Sequence, residues 1–173
     1  MDKNIFILGG ARSGKSQHAL KLATERKNKK TAFIATCQPL DKEMERRIAL
    51  HRRARPTHWQ TFEEPCAVSA LIEKIGNTYD VIVIDCLTLL LSNLLLKNFK
   101  ERSIEREFDK IVSALKKIMA HSIVISNEVG LGIVPDNKLA RDFWDMAGRV
   151  NQMVAKKADA AFFMMSGIPW RIK

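Results

Sequence analysis

The chain has 173 residues, of which 46% are hydrophobic and 28% are charged, and its formal net charge is +10 at pH 7. That composition excludes a disordered or fibrous chain, and the longest apolar run, CLTLLLSNLLL, is about half the length of a membrane span. The positive charge favours an anionic partner, either nucleic acid or a phosphate-rich molecule, and three widely spaced cysteines favour reduced thiols in the cytoplasm.

Strands and helices are predicted to alternate along the chain. Short apolar runs predict strands at 4–9, 31–36, 59–64, 80–86, 122–128 and 160–165. Helical composition and spacing predict helices at 14–27, 39–55 and 64–75, a leucine-rich helix after residue 86, another at 101–120, and a last one after residue 137. This alternation predicts an α/β fold with three layers, in which helices cover both faces of a mostly parallel sheet. The length fits a single domain over residues 1–173.

A phosphate-binding loop follows the first predicted strand. Residues 9–16, GGARSGKS, match the P-loop pattern GxxxxGK[ST] and open a predicted helix. Glycines let successive backbone N–H groups turn toward a phosphate, and the helix N-terminus adds partial positive charge. Lys15 would reach the β- and γ-phosphates and Ser16 would bind Mg²⁺. The weaker alternative is a plain glycine-rich turn between a strand and a helix.

A carboxylate ends the fourth predicted strand. VIVID closes on Asp85, and a P-loop protein needs a carboxylate at the end of a neighbouring strand to hold its metal. Asp85 is therefore interpreted as a magnesium ligand, directly or through water. The alternative is that it caps the helix that follows.

One histidine lies inside an arginine cluster. His51 is surrounded by five arginines between Arg46 and Arg55. A neutral imidazole beside arginine-held phosphates suits attack on phosphorus, whereas the spacing alone favours a solvated basic helix with an incidental histidine. Two other interpretations stay open: arginines of a mobile kinase lid, or, together with ERKNKK at 25–30, a nucleic-acid surface. Stacking aromatic residues are sparse in this region, which disfavours nucleic acid.

The stretch SNEVGLGIVPDN, residues 126–137, is predicted to be a loop at the carboxyl edge of the sheet, where ligands of such folds bind. Asn127 and Glu128 either contact a ligand or tie down the loop. Asp136 and Asn137 are residue types that cap helices, and the helix after them is predicted to bury one face. That face comprises Leu139, Phe143, Ala147, Val150 and Val154.

Over nearly its whole length the sequence resembles the bifunctional adenosylcobinamide kinase/adenosylcobinamide-phosphate guanylyltransferase family of cobalamin biosynthesis. The motifs that carry the resemblance are GGARSGKS, FIATCQ, DKEMERRIALHRRARP, VIDCLTLLLSNLL, SNEVGLGIVPDNKLARDFWDMAGRVNQ and a C-terminal SGIP. The resemblance implies phosphorylation of the aminopropanol hydroxyl of adenosylcobinamide, followed by GMP transfer from GTP to give adenosylcobinamide-GDP. A kinase that transfers only the γ-phosphate is the alternative.

The resemblance also implies the site residues. In the family the second step uses a GMP–histidine intermediate, and the matching position is His51, with His58 as the nearby rival. Some relatives carry a second histidine where this chain has Leu50, while His18 and His121 look structural. Catalytic roles fall on His51 and Lys15, and metal binding on Ser16 and Asp85. Nucleotide contacts fall on Gly9, Gly10, Ala11, Arg12, Ser13, Gly14, Lys15, Ser16, Thr36, Cys37, Gln38, Arg53, Ala54, Arg55, Pro56, Glu63 and Asp85.

Glu63 matches the family position, although Glu64 beside it leaves one residue of slack. The implied cofactor is Mg²⁺, with GTP, ATP or both as substrate. The implied partners are a corrinoid and a nucleoside triphosphate, with no nucleic acid and no membrane span, and the family further implies a homotrimer.

Overall fold

A computed structural model describes residues 2–26, 29–39 and 41–173 of the protein, with the side chain of Arg47 excepted. Some sequence predictions therefore fall outside the described residues. They are the predicted end of the first helix at residue 27, residues 27 and 28 of the ERKNKK run, residue 40 in the helix predicted at 39–55, and the Arg47 side chain of the arginine cluster. Within these ranges, no helix combines the length and the apolar character that crossing a bilayer requires.

In the described ranges, seven strands form one sheet in the order β3-β2-β4-β5-β1-β6-β7. The pairs among the first six are parallel, and β6 and β7 pair antiparallel. The mostly parallel sheet that the alternation predicts is therefore confirmed. The strands are β1 (Asn4–Gly9), β2 (Thr31–Ala35), β3 (Gln60–Glu63), β4 (Val81–Asp85), β5 (His121–Ile125), β6 (Ala160–Met165) and β7 (Ile168–Arg171).

Six helices lie in the described part of the chain, and all but α2 contribute to two separate apolar clusters, which show that both faces of the sheet are covered. Successive residues of a strand point to opposite faces, so Phe6 and Leu8 of β1 join one cluster while Ile5 and Ile7 join the other. The larger cluster holds the buried apolar residues of α3, α4, α5 and α6, and the smaller one holds those of α1. The helices are α1 (Lys15–Thr24), α2 (Lys42–Arg53), α3 (Val68–Ile75), α4 (Leu87–Leu96), α5 (Glu101–Lys117) and α6 (Lys138–Lys157).

Several predicted boundaries are corrected. Helix α2 begins after Asp41 and not near Pro39, because the Asp41 carboxylate accepts a 2.7 Å hydrogen bond from the backbone N–H of Met44 and caps the helix. Strand β5 ends at Ile125, so residues 126–128 belong to the loop. Leu139 is 62% exposed and is not part of the buried face of α6.

Strand β7 is an addition to the predicted strands, the last of which is the one at 160–165. A two-residue turn of Ser166 (φ 52°) and Gly167 (φ 83°) joins β6 to β7, and positive φ at both positions is the geometry of a tight hairpin. Pro169 lies in β7, which is acceptable because β7 is the edge strand.

Candidate nucleotide-binding site

The predicted P-loop connects β1 to α1, and residues of β6 and the β6–β7 turn pack closely against it. A Cβ at Gly9 (φ 152°) would lie 2.7 Å from the carbonyl oxygen of Met164, and one at Gly14 (φ 95°) would lie 3.1 Å from Cα of Gly167. Both positions therefore require glycine, for backbone conformation and for space. The backbone N–H of Gly167 also donates a 3.0 Å hydrogen bond to the carbonyl oxygen of Ser13. The β6–β7 turn thus supports the loop directly.

Lys15 is buried, with 7% of its surface exposed, and its Nζ donates a 2.6 Å hydrogen bond to the carbonyl oxygen of Gly10. Burial lowers the pKa of Lys15, and the electrostatic interactions with Cys86 and Asp85 oppose this. The ammonium group is held against the loop that would surround a phosphate. This position agrees with the role predicted for Lys15.

The two predicted metal ligands are in contact. The Ser16 hydroxyl donates a 2.9 Å hydrogen bond to Oδ2 of Asp85. Burial raises the pKa of Asp85, opposed by the Ser16 hydrogen bond and by the charges of His51, Arg55 and Lys15. A hydroxyl and a carboxylate side by side are oxygen ligands of the kind that Mg²⁺ takes from a protein, with water and phosphate completing its shell. These residues fit a magnesium ion.

The segment after β2 packs beside Asp85. Thr36 is fully buried: its Oγ1 donates to the Cys86 carbonyl oxygen and accepts from the Cys86 N–H, both at 2.8 Å. Its own N–H donates to the Asp85 carbonyl oxygen at 3.1 Å, and its carbonyl accepts from Asn93 at 2.7 Å. Thr36 therefore positions Asp85 and Cys86, since its polar groups are all engaged within the protein.

The other two predicted residues of this segment, Cys37 and Gln38, are half-buried. Burial, and secondarily the charge of Asp85, raises the pKa of the Cys37 thiol. Burial likewise raises the pKa of Cys86 to about 12. Both thiols are therefore protonated at neutral pH, and neither supplies a thiolate to the site.

The predicted nucleophile lies within electrostatic range of Asp85. His51 is exposed in the last turn of α2, and its charge is close enough to lower the pKa of Asp85. Arg55 lies just past the helix, with its guanidinium 3.6 Å from the ring centroid of Phe33 and a 3.3 Å hydrogen bond to Thr61 Oγ1. Burial lowers the pKa of Arg55, although the charge of Asp85 opposes this. Electrostatic coupling thus links the arginine segment to the predicted metal site.

The remaining residues predicted to contact nucleotide lie in the arginine segment and at the end of β3. Arg53 and Ala54 are exposed and Pro56 is half-buried. Glu63 accepts a 2.8 Å hydrogen bond from Arg52. Its neighbour Glu64 instead accepts the backbone N–H groups of Cys66 and Ala67 at 2.9 and 2.8 Å, which fixes the start of α3. The structure therefore favours Glu63 over Glu64 as the residue that faces the arginine segment.

The loop after β5 borders the P-loop, as its place at the carboxyl edge of the sheet predicts. The backbone N–H of Glu128 donates a 3.0 Å hydrogen bond to the carbonyl oxygen of Gly9. Asn127 donates to Thr88 Oγ1 at 2.8 Å, and its carbonyl accepts from Asn151 at 3.1 Å. The position of SNEVGLGIVP after a strand was the signal that could be found in the sequence. The support of the P-loop by Gly167 was missed, and only the turn-forming pair Ser–Gly hinted at it.

The P-loop, the carboxylate at the end of β4 and the parallel sheet together define a P-loop nucleotide-binding protein. The fold resembles that of a KaiC-like protein from the archaeon Pyrococcus horikoshii OT3, with a TM-score of 0.54 over 93% of this chain and 70% of that chain. At 15% identity this likeness concerns the fold alone.

The particular family is shown by sequence. The chain belongs to the family described as cobinamide kinase / cobinamide phosphate guanyltransferase, whose sequence model matches residues 5–172. Bifunctional adenosylcobalamin biosynthesis protein CobP of Pseudomonas aeruginosa is 42% identical, over 97% of this chain and 96% of that protein. Bifunctional adenosylcobalamin biosynthesis protein CobU is 39% identical in Escherichia coli and 40% identical in Salmonella typhimurium, each over 98% of this chain and 99% of the relative. The family resemblance and the expectation of an enzyme are confirmed.

Proposed function

We propose that this chain phosphorylates the aminopropanol hydroxyl of adenosylcobinamide and then transfers GMP from GTP to the product, giving adenosylcobinamide-GDP. Family membership over residues 5–172 supports both reactions. The observation that carries the proposal is the 2.9 Å hydrogen bond from Ser16 of the P-loop to Asp85, which supports a nucleotide and metal site in a chain of this family. A histidine placed at a nucleotide site suits nucleotidyl transfer, for which a kinase alone has no need.

In the kinase step the P-loop of residues 9–16 would bind the triphosphate through its backbone N–H groups. Lys15 would contact the β- and γ-phosphates once its hydrogen bond to the Gly10 carbonyl opens. Ser16 and Asp85 would hold Mg²⁺, which when bound neutralises phosphate charge during transfer. Cys37 and Gln38, half-buried beside Asp85, are proposed to border the bound nucleotide.

In the transferase step an imidazole nitrogen of His51 attacks the α-phosphorus of GTP and pyrophosphate leaves. A phosphate oxygen of the phosphorylated corrinoid then attacks the same phosphorus, the P–N bond breaks and the imidazole is restored. In each of the two steps, one bond to the α-phosphorus forms and one breaks. Arg55 and Arg53 are proposed to hold the phosphates, and Glu63 to contact the guanosine.

Three further proposals concern the whole protein. Residues 1–173 are proposed to act as a single catalytic domain, which the shared sheet of all seven strands supports. A cytoplasmic location is proposed, supported by the free thiols of Cys37, Cys66 and Cys86. A homotrimer is proposed from the family resemblance, and exposed apolar side chains on the β6–β7 hairpin supply a surface for self-association: Met165, Ile168 and Trp170.

The test is to incubate the protein with Mg²⁺ and GTP labelled at either the α- or the γ-phosphate, and then to denature it and count protein-bound label. We expect label from the α-position only, stable to base and lost in acid, because that is the behaviour of a histidine phosphoramidate. Peptide mapping should place it on His51. If no label is retained while γ-phosphate still reaches adenosylcobinamide, the protein is the kinase-only alternative.

A further inference from the structure

Glu128 follows β5 beside the P-loop, and its carboxylate has no role in the reactions described so far. Strand β5 separates β1, which leads into the P-loop, from β4, which ends at Asp85. Beyond β5 the chain continues along β1, because Ser126 N–H donates to the carbonyl oxygen of Ile7 and Glu128 N–H to that of Gly9, both at 3.0 Å. The backbone of Glu128 is therefore fixed next to the first residue of the P-loop.

The other described carboxylates that follow β3 and β4 are already engaged. Asp85 accepts the Ser16 hydroxyl, Glu63 accepts Arg52 at 2.8 Å, and Glu64 accepts two backbone N–H groups at the start of α3. Like these three, Glu128 engages one carboxylate oxygen: its Oε1 accepts the backbone N–H of Gly130 at 2.8 Å, and among the described residues Oε2 accepts no hydrogen bond. Glu128 differs from them in its place, because its backbone N–H donates to the carbonyl oxygen of Gly9 at the start of the P-loop. One oxygen holds the side chain in place and the other is available to a ligand.

The same loop presents an apolar surface that suits an organic acceptor. Leu131, Ile133 and Val134 are 79%, 97% and 56% exposed. The loop that carries them is held at both ends, because Trp144 Nε1 donates to the Val129 carbonyl oxygen at 2.6 Å and Arg141 donates to the Asp136 carbonyl oxygen at 2.6 Å. Exposed apolar side chains that continue from a phosphate site mark a place for a ligand with an apolar face.

We propose that Glu128 is the general base of the kinase step and that residues 128–134 receive the acceptor; this rests on the proposed function. The acceptor hydroxyl gives its proton to Oε2 of Glu128 while its oxygen forms a bond to the γ-phosphorus. The bond from the γ-phosphorus to the β–γ bridging oxygen breaks, and its electron pair stays on the nucleoside diphosphate. The proton then passes from the carboxyl group to water. Asp85 cannot take this role while it accepts Ser16 and holds the metal.

The test compares the full chain with Glu128→Gln, whose amide oxygen still accepts the Gly130 N–H but cannot take a proton. We expect kcat of the kinase step to fall by about 10²–10⁴-fold. Triphosphate affinity should stay within about twofold of wild type, and GMP transfer to pre-phosphorylated adenosylcobinamide should be retained. The acid limb of the kinase pH–rate profile should disappear in Glu128→Gln and persist in Glu128→Asp.

Glu64→Gln is the matched control, because Glu64 makes the same contact as Glu128, from Oε1 to the backbone N–H two residues ahead. If both glutamine variants keep wild-type kinase activity, or if Glu128→Gln weakens nucleotide binding and both reactions equally, Glu128 only ties down its loop and the inference is wrong. A wild-type protein that fails to phosphorylate the corrinoid overturns the proposed function instead. Circular dichroism of each variant shows whether it is folded. If Glu128→Gln is not folded, the kcat and the pH–rate profile of the kinase step in Glu128→Asp test the role of Glu128 instead.

Discussion

The hydroxyl of Ser16 donates a 2.9 Å hydrogen bond to Oδ2 of Asp85, across 69 residues of sequence. The contact joins the first turn of α1 to the end of β4, although β5 lies between β1 and β4 in the sheet. It brings together two oxygen ligands that would otherwise sit on separate elements. The carboxylate is half-buried there, and burial raises its pKa.

This burial predicts how the metal-free protein responds to pH. Between the ordinary Asp value of 3.8 and the raised pKa of Asp85, the folded state binds more protons than the unfolded state. Stability therefore falls as pH rises through that window. Asp85→Asn removes the buried titrating carboxylate, so at pH 7 in EDTA the free energy of unfolding should rise. Guanidinium titrations from pH 4 to 8 measure this, and pH curves that run parallel for the two proteins would contradict it.

When Mg²⁺ and GTP are present, Asp85→Asn should have the opposite effect and make the protein less stable than wild type. Mg²⁺ and GTP stabilise a protein that binds them only in its folded state. Asp85→Asn should lose most of that stabilisation, since it removes a charged metal ligand. Thermal melts with and without Mg²⁺–GTP measure the difference, and an equal shift in both proteins would argue against Asp85 as a ligand.

Replacing His51 should separate the two activities. His51→Asn should abolish formation of the base-stable GMP adduct, while phosphorylation of adenosylcobinamide stays within about tenfold of wild type, because the P-loop carries the kinase chemistry. His58→Asn is the matched control, since His58 is also exposed and lies seven residues on. Loss of the adduct in the His58 variant alone would transfer the nucleophilic role to His58.

Arg55 should be sensitive even to lysine. Its guanidinium lies 3.6 Å from the Phe33 ring centroid and donates to Thr61, and an ammonium group lacks the plane needed for stacking and for bidentate phosphate contact. Arg55→Lys should slow formation of the GMP adduct by about 10-fold or more, with kinase activity reduced less. Quench-flow measurement of the α-label tests this. Arg106→Lys, on the exposed side of α5, is the control for the change of residue type.

Two glycines are expected to respond with opposite sign to alanine. Gly14 has φ 95° and its Cβ would approach Cα of Gly167 to 3.1 Å, so Gly14→Ala should destabilise the protein by about 1–2 kcal/mol and weaken nucleotide binding. Gly148 lies inside α6 with no atom within 4 Å of an added Cβ. Gly148→Ala should therefore stabilise by up to about 1 kcal/mol. Chemical denaturation of both variants tests the pair, and destabilisation by Gly148→Ala would show that α6 packs more closely there.

The strands were predictable where the pattern is local. Runs such as VIVID and the P-loop spacing depend on neighbouring residues, so β1, β4 and the loop between β1 and α1 were placed from sequence. Strand β7 was not, because its four residues, IPWR, are all exposed and include a proline. Nothing in that segment has the buried pattern of a strand, and its pairing with β6 is a tertiary property.

The site was predictable only in part for a related reason. A nucleotide contact of Thr36 stays a prediction, and its hydrogen bonds to Cys86 and Asn93 could not be predicted because they depend on residues 50 and 57 positions away. The approach of Glu128 to Gly9 likewise needs β5 to lie beside β1. The spacing of residues within α2 did not decide whether His51 is a nucleophile, and only the family resemblance implied that role. Contacts between distant segments are what the order of strands creates, and a single sequence does not contain that order explicitly.

The placement of β1 has a consequence for synthesis on the ribosome. β1 is the first strand to be made, yet its partners are β5 at residues 121–125 and β6 at residues 160–165. At about 5–20 residues per second, the GGARSGKS segment waits roughly 7–30 s for both neighbours. Until β5 is made, the apolar strand before this segment has neither partner and is open to chaperones, and nucleotide cannot assist folding before the site has formed. A chain halted before residue 121 carries the phosphate-binding sequence without the phosphate-binding site.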